Sequence, residues 1–235
     1  MKTKVFILTF LFIATLVSKS VFAEGEERDV PSFSEISLRI PGKLHLEQGS
    51  KQSVEIVAKS STLEEIITEV KDRQLTIRFK NKNYLFKSFN PGKIDIYVTV
   101  PEIDGLAVSG SGDIVAEDDI KTRILDLAVS GSGDINLVEL DAERVKASIS
   151  GSGNIIIGGG GVADDFSASI SGSGDVKAED FEAKDVVVHI AGSGSCSITS
   201  NSSLKARVAG SGNVYYHGNP SIDSSVAGSG RIKKM

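Results

Sequence analysis

The sequence predicts an all-β protein: a single-stranded β-helix, or solenoid, with Gly-Ser-Gly coils of about 20 residues and an irregular β-rich cap at its N-terminal end. Three observations carry this prediction. A Gly-Ser-Gly motif recurs at a nearly fixed interval, apolar residues alternate with polar ones around each copy, and polar segments separate the copies. Alternation is typical of strands, and a fixed interval of this length is typical of stacked coils.

The N-terminal residues have the features of a secretory signal peptide. Two lysines precede an apolar run over residues 5–17, and small residues up to Ala23 fit a cleavage site. The apolar run is shorter than the about 20 residues that a membrane-spanning helix needs. We therefore expect 1–23 to be a signal peptide, 24–29 to be a mobile acidic tail, and the mature chain to contain no transmembrane segment.

Residues 30–101 also alternate in strand fashion, but they contain no Gly-Ser-Gly. We expect them to form longer, irregular coils of the same domain as the regular β-helix over 102–235. Such coils would cap the column, because an open coil exposes unpaired strand groups. The run from Thr62 to Glu65 resembles a capping box and predicts a short helical turn over 63–67.

The regular part contains seven copies of the motif, starting at Gly110, Gly131, Gly151, Gly172, Gly192, Gly210 and Gly228. Both glycines of each copy fall in the same alternation phase as the apolar residues. We therefore predict that both point inward and allow a tight corner in the backbone. The predicted structural glycines are Gly110, Gly112, Gly131, Gly133, Gly151, Gly153, Gly172, Gly174, Gly192, Gly194, Gly210, Gly212, Gly228 and Gly230.

A stripe of small polar side chains is predicted along the outside of this corner. The candidate binding residues are Ser111, Asp113, Ser132, Asp134, Ser152, Asn154, Ser173, Asp175, Ser193, Ser211 and Asn213. A purely structural interpretation is also open, since small residues fit a corner and stacked hydroxyls can bond each other. A third interpretation is calcium binding by the Asp column, although each coil offers only one acidic residue.

The composition offers few routes to catalysis or to nucleic acid. The chain has 235 residues, 26 basic and 31 acidic, for a net charge of −5, which argues against nucleic-acid binding. Its one cysteine, Cys196, excludes an internal disulfide and a cysteine-based zinc site. Cys196 occupies an apolar position of the repeat, so we expect it in the core. Phosphate-loop and nucleophile-elbow motifs are missing, so we expect no cofactor and no enzyme activity.

The run Leu-Ala-Val-Ser-Gly-Ser-Gly-Asp-Ile over 106–114 and its copies resemble the head GIN domain family of autotransporter adhesins, a domain of unknown function in Bacteroidetes-type bacteria. The upstream segments 46–49, 63–66 and 98–102 match the same pattern. The resemblance extends from about Val30 to the C-terminus. It implies a β-helical, exported, adhesin-like protein, and it brings no catalytic residues with it.

Two classes of function therefore remain open. The first is an adhesin-like binding module of the cell envelope, in the periplasm or at the cell surface, with a protein or polysaccharide of the envelope or of a host as its partner. The second is a structural envelope protein that associates with itself or with a periplasmic partner. A remote third is a glycan-cleaving β-helix enzyme, because Asp113 and Asp134 on adjacent coils could form a carboxylate pair.

Overall fold

The structure, a computed structural model, describes residues 23–80 and 90–235, so the predicted signal peptide lies outside it except for Ala23. The described residues form one 17-stranded sheet wound into a β-solenoid of about six turns, which confirms the predicted fold. The elements are β1 (Ala23–Glu27), β2 (Glu35–Leu38), β3 (Lys43–Gln48), β4 (Ser53–Lys59), α1 (Ser60–Leu63), β5 (Ile66–Lys71), β6 (Gln74–Phe79), β7 (Asp95–Val100), β8 (Gly105–Gly110), β9 (Asp113–Gly131), β10 (Ile135–Gly151), β11 (Ile155–Ile157), β12 (Val162–Gly172), β13 (Val176–Gly192), β14 (Ser195–Gly210), β15 (Asn213–His217), β16 (Ser221–Gly228) and β17 (Arg231–Lys234).

Two walls of stacked strands meet at the Gly-Ser-Gly corner. The upstream wall, before the corner, contains β5, β6, β2, β8, the second parts of β9 and β10, β12, the second parts of β13 and β14, and β16. The downstream wall contains β1, β4, β7, β3, the first parts of β9 and β10, β11, the first parts of β13 and β14, β15 and β17. The copies stack in register, so that Gly151 lies between Gly131 and Gly172.

The interior is filled by the apolar half of the alternation. Val145, Ala147 and Ile149, for example, are all buried along one strand of the upstream wall. Between the regular aliphatic layers, the rings of Phe166 and Phe181 pack at a tilt with their centroids 6.1 Å apart. Cys196 is buried as predicted, and this burial raises the pKa of its thiol to about 12. The thiol is therefore a protonated core side chain, not a nucleophile.

The N-terminal end is an irregular β-rich cap, as the sequence predicts, and its strands do not stack in chain order. Strands β2 and β3 form a coil that is inserted between β6–β7 on one side and β8–β9 on the other, although they precede all four of these strands in the chain. On the side of β6 and β7 that faces away from this coil, β5 pairs antiparallel with β6 and β4 pairs antiparallel with β7. Strand β1 in turn pairs antiparallel with β4. Reversed strands therefore close this end of the column.

Residues 24–27 are part of strand β1, which differs from the mobile tail expected over 24–29. The strand pairs with β4 from Ala23 opposite Lys59 to Glu27 opposite Glu55. The outer edge of β4 offers backbone hydrogen-bonding groups, and these pair with any extended segment whatever its side chains are. An acidic composition therefore did not prevent pairing.

The predicted capping box is wrong. Helix α1 ends at Leu63, where the predicted turn began, and its N-cap residue, Lys59, makes no side-chain capping bond. The hydroxyl of Thr62 instead donates to the carbonyl oxygen of Pro91, 2.9 Å away. Tertiary contact thus overrides the local signal. Within the described ranges, no helix is long and apolar enough to cross a membrane.

The C-terminal end of the column is open within the described residues. Every residue of β16 is exposed, and the apolar side chains of Ile222 and Val226 retain 47% and 40% of their accessible surface. Over residues 23–80 and 90–235, both β16 and β17 pair on one side only, with β14 and β15 respectively. The two ends of the solenoid are therefore unequal: one is capped and the other exposes part of the core.

Candidate functional site

The Gly-Ser-Gly corner is a repeated backbone motif. The first glycine of each copy has a positive φ, for example +130° at Gly131 and +138° at Gly151, which only glycine adopts without strain. Its carbonyl oxygen accepts two N–H bonds from the next copy: that of Gly131 accepts from Ser152 at 2.8 Å and from Gly153 at 3.1 Å. The corner is therefore fixed by backbone geometry that the sequence repeats.

The two glycines of each copy have different surroundings. The second, such as Gly153, is buried, and a Cβ placed on it would overlap the carbonyl oxygen of Gly133 in the preceding coil. The first, such as Gly151, is partly exposed, so it differs from the inward position that the alternation predicts. Its positive φ turns the chain at this point, and a Cβ on Gly151 would overlap the carbonyl oxygen of Gly131.

The serine between the two glycines is exposed in every copy. These residues are Ser111, Ser132, Ser152, Ser173, Ser193, Ser211 and Ser229. Beside them runs a second exposed column of small residues, namely Ser109, Ser130, Ser150, Ser171, Ala191, Ala209 and Ala227. Within the described part of the chain, no hydrogen bond engages the hydroxyls of these serines, either between coils or with the backbone. The structural interpretation expected stacked hydroxyls that bond each other, and these hydroxyls do not form such a ladder. They are therefore available to an external partner.

The Asp/Asn column is used inside the protein. Oδ1 of Asp113 accepts the backbone N–H of Asp134 at 2.9 Å, and Oδ1 of Asp134 accepts both the backbone N–H of Asn154 at 2.6 Å and its amide at 2.9 Å. The same pattern continues from Asn154 to the N–H of Asp175 and from Asp175 to that of Ser195. These half-buried side chains form a ladder that ties each coil to the next.

The predicted stripe thus divides into two parts with different chemistry. In the first part, the exposed hydroxyls of Ser111, Ser132 and their equivalents make no hydrogen bond within the described residues. In the second part, Asp113 and Asp134 each use a carboxylate oxygen to accept hydrogen bonds of the ladder. Among the described residues, no group of three or more His, Cys, Asp or Glu side chains lies close enough to hold a metal ion. The calcium interpretation therefore has no cluster of ligands in the described column.

Replacing Asp134 with Ala tests the ladder. The variant loses an acceptor that serves two donors, and we expect the free energy of unfolding to fall by about 1–2 kcal/mol. Ser132→Ala, two residues away and with a free hydroxyl, should change the free energy by less than about 0.5 kcal/mol. Urea unfolding of both variants measures the difference. Equal stabilities would contradict the structural role of Asp134.

One exposed feature is not predicted by the sequence pattern. On the outer face of the downstream wall, the rings of His45 and Tyr97 stack with centroids 5.0 Å apart and an interplanar angle of 13°. Tyr97 is 46% exposed, and the pair lines a shallow depression with Val115 and Glu117. The outward direction of Tyr97 follows from its place in the alternation between two buried residues. Its contact with His45 depends on the pairing of β3 with β7, which no local signal marks.

These features define a β-solenoid repeat protein with a packed interior and an outward stripe of free hydroxyls. The chain belongs to the family described as putative auto-transporter adhesin, head GIN domain, whose model matches residues 32–220. The resemblance seen in the repeat and the upstream segments is thereby confirmed. No curated protein matches the chain.

Solved structures with the same fold agree with this assignment. A putative adhesin from Bacteroides fragilis is 25% identical, with a TM-score of 0.85, over 92% of this chain and 98% of that one. A putative lipid binding protein from Parabacteroides distasonis is also 25% identical, with a TM-score of 0.74, over 91% and 97% of the two chains. A putative adhesin from the same organism, 24% identical with a TM-score of 0.67, shares the fold.

Proposed function

We propose that this protein is a non-catalytic, exported binding module of the cell envelope. It holds a polysaccharide along the two exposed columns of small residues at the corner, those that begin at Ser111 and at Ser109, which we call the serine columns. The observation that carries the proposal is the exposed row of hydroxyls that make no hydrogen bond within the described protein. Each hydroxyl both donates and accepts, as the hydroxyls of a sugar do. The row repeats every coil, at about 4.8 Å, so a long polymer could contact many coils at once.

A polysaccharide fits the stripe better than a protein does. Specific protein interfaces are centred on large buried anchors, usually aromatic residues or Arg. The serine columns contain only Ser and Ala, and the neighbouring Asp and Asn side chains are tied to the ladder. Weak contacts repeated along a polymer supply affinity without such an anchor.

The names of the related structures support a binding role in general terms. The structure from Bacteroides fragilis is called a putative adhesin, which is the class proposed here, and one from Parabacteroides distasonis is called a putative lipid binding protein. The described interior of the present chain is filled by side chains such as Phe166 and Phe181, so a lipid would have to bind outside, where the stripe is polar.

Export is part of the proposal because a binding module of the envelope must leave the cytoplasm. The features of residues 1–23 support it. Protease treatment of intact cells, with a periplasmic marker as control, distinguishes the cell surface from the periplasm.

Binding to purified peptidoglycan and to mucin tests the function, one being a wall polymer and the other a host glycan. Ser132→Arg with Ser152→Arg would block two adjacent coils of the stripe, and we expect retention on the bound polymer to fall at least about tenfold. Val138→Arg with Val162→Arg is the matched control, because both valines are 52% exposed, lie away from the corner and give the same change in charge.

The control variant should bind like the original protein. Equal retention of the two variants would contradict the stripe as the binding surface, and no retention of the original protein on either polymer would count against the proposed ligand class. Retention that survives enzymatic removal of the mucin glycans would indicate a protein partner.

A further inference from the structure

Among the residues that the structure describes, the downstream wall ends in an edge strand at each end of the column. Within the same residues, β1 at the N-terminal end pairs only with β4, and β17 at the C-terminal end pairs only with β15. An edge strand offers a row of backbone N–H and C=O groups to another strand. The upstream wall ends one strand earlier at the N-terminal end, at β5, so β1 stands out beyond it.

The two edge strands carry opposite charges. Strand β1 has the sequence Ala-Glu-Gly-Glu-Glu, and the side chains of Glu26 and Glu27 are exposed. Strand β17 has the sequence Arg-Ile-Lys-Lys, and its three basic side chains, those of Arg231, Lys233 and Lys234, are exposed. Glu26 pairs with Arg28 at 3.1 Å, and Lys234 donates to Asn219. The side chain of Glu26 keeps 46% of its accessible surface in this pair, and Lys234 stays exposed, so both charges remain in contact with solvent.

The strand directions also match. Strand β17 is parallel to β15 and, through the stack, to β7 at the other end of the wall. Strand β4 reverses this direction, and β1 reverses it again. A second copy moved along the column axis therefore brings its β1 against β17 as a parallel pair, which is the pairing that the column uses throughout.

From these observations we infer that the open C-terminal end binds the N-terminal end of a second copy of this chain, head to tail. The contact joins the basic strand β17 to the acidic strand β1. Because β1 stands out one strand beyond β5, strand β5 of one copy then faces β16 of the other, with its exposed Ile222 and Val226, across the width of one strand. A tail-to-tail dimer would instead set Arg231, Lys233 and Lys234 of both copies against each other, which is unfavourable. Because this interface does not close on itself, it generates a filament.

This inference is independent of the proposed function. It uses only the two ends of the column, and the serine columns stay exposed along the sides. A filament would continue those columns from one copy to the next. Association can be measured without any polysaccharide, so the failure of either idea leaves the other testable.

Sedimentation of the chain from Ala23 onward tests the inference, since this chain contains every residue that the structure describes. We expect the mean mass to rise through dimer, trimer and longer species as protein concentration increases. Salt at about 0.5 M should shift the equilibrium toward monomer, because it screens exposed charges. A monomer at all concentrations, or a series that stops at the dimer, would overturn head-to-tail stacking.

Charge reversal supplies the sharper test. Lys233→Glu with Lys234→Glu, and separately Glu26→Lys with Glu27→Lys, should each weaken self-association at least about tenfold. An equal mixture of the two variants should associate again, because each then presents an end complementary to the other. Lys146→Glu with Lys177→Glu, on the exposed sides of the column, is the matched control and should associate normally. No rescue in the mixture would contradict the β1–β17 contact.

Discussion

Replacing Gly151 with Val is expected to lower the free energy of unfolding by about 4 kcal/mol or more. Gly151 has a φ of +138°, a conformation that costs a β-branched residue about 1–3 kcal/mol in strain. The added Cβ would also overlap the carbonyl oxygen of Gly131, and this atom belongs to the backbone and accepts two hydrogen bonds from the same copy. The neighbour cannot move aside without breaking the corner.

Ser152→Val is the control for this prediction. Ser152 is exposed and its hydroxyl is free, so the same valine should change the free energy of unfolding by less than about 0.5 kcal/mol. Each kcal/mol corresponds to about 2–4 °C in the melting temperature of a protein of this size, so the glycine variant should melt about 10 °C or more below the control. Thermal unfolding followed by circular dichroism measures both, and similar melting temperatures would refute the role assigned to Gly151.

Replacing Phe166 with Ala is expected to cost about 3–5 kcal/mol. The side chain is 1% exposed and packs against Phe181 at a ring distance of 6.1 Å, so its removal leaves a cavity between rigid walls. The coils above and below are held in register by backbone bonds from both walls, which limits their collapse into the space. We therefore expect the free energy of unfolding to fall by the full cost of the cavity.

Phe166→Leu separates the cavity from the mere loss of the ring. A leucine fills most of the space, and the expected loss is about 1–1.5 kcal/mol. Because each coil contacts only its neighbours, hydrogen exchange should accelerate first in β10, β12 and β13. The prediction fails if alanine and leucine are equally destabilising, or if exchange accelerates uniformly along the column.

The regular coils could be predicted because their signals are local. Alternation around Val145 and the repeat of Gly-Ser-Gly together determine which residues face inward and which coils are neighbours. The N-terminal end could not be predicted in the same way. The insertion of β2 and β3 between later strands depends on pairing across tens of residues, and the capture of β1 depends on an available edge.

The same division applies to the candidate site. Exposure of Ser132 and Ser152 follows from the alternation. The hydrogen bond from Asn154 to Asp134, by contrast, depends on the rise from one coil to the next and on side-chain rotamers, neither of which the sequence pattern encodes. The positive φ of Gly151 could have been suspected from the repetition of glycine alone, but alternation suggested an inward residue instead.

The register shifts of the stack have an evolutionary consequence. Successive copies of the motif are 18 to 21 residues apart, yet the glycines stay aligned, because the differences are absorbed elsewhere: between Leu137 and Glu139, and between Ala178 and Asp185. A gain or loss of one or two residues in a coil is thus confined to the side remote from the corner. Such a stack can vary the contour of that side during evolution while the corner keeps one shape.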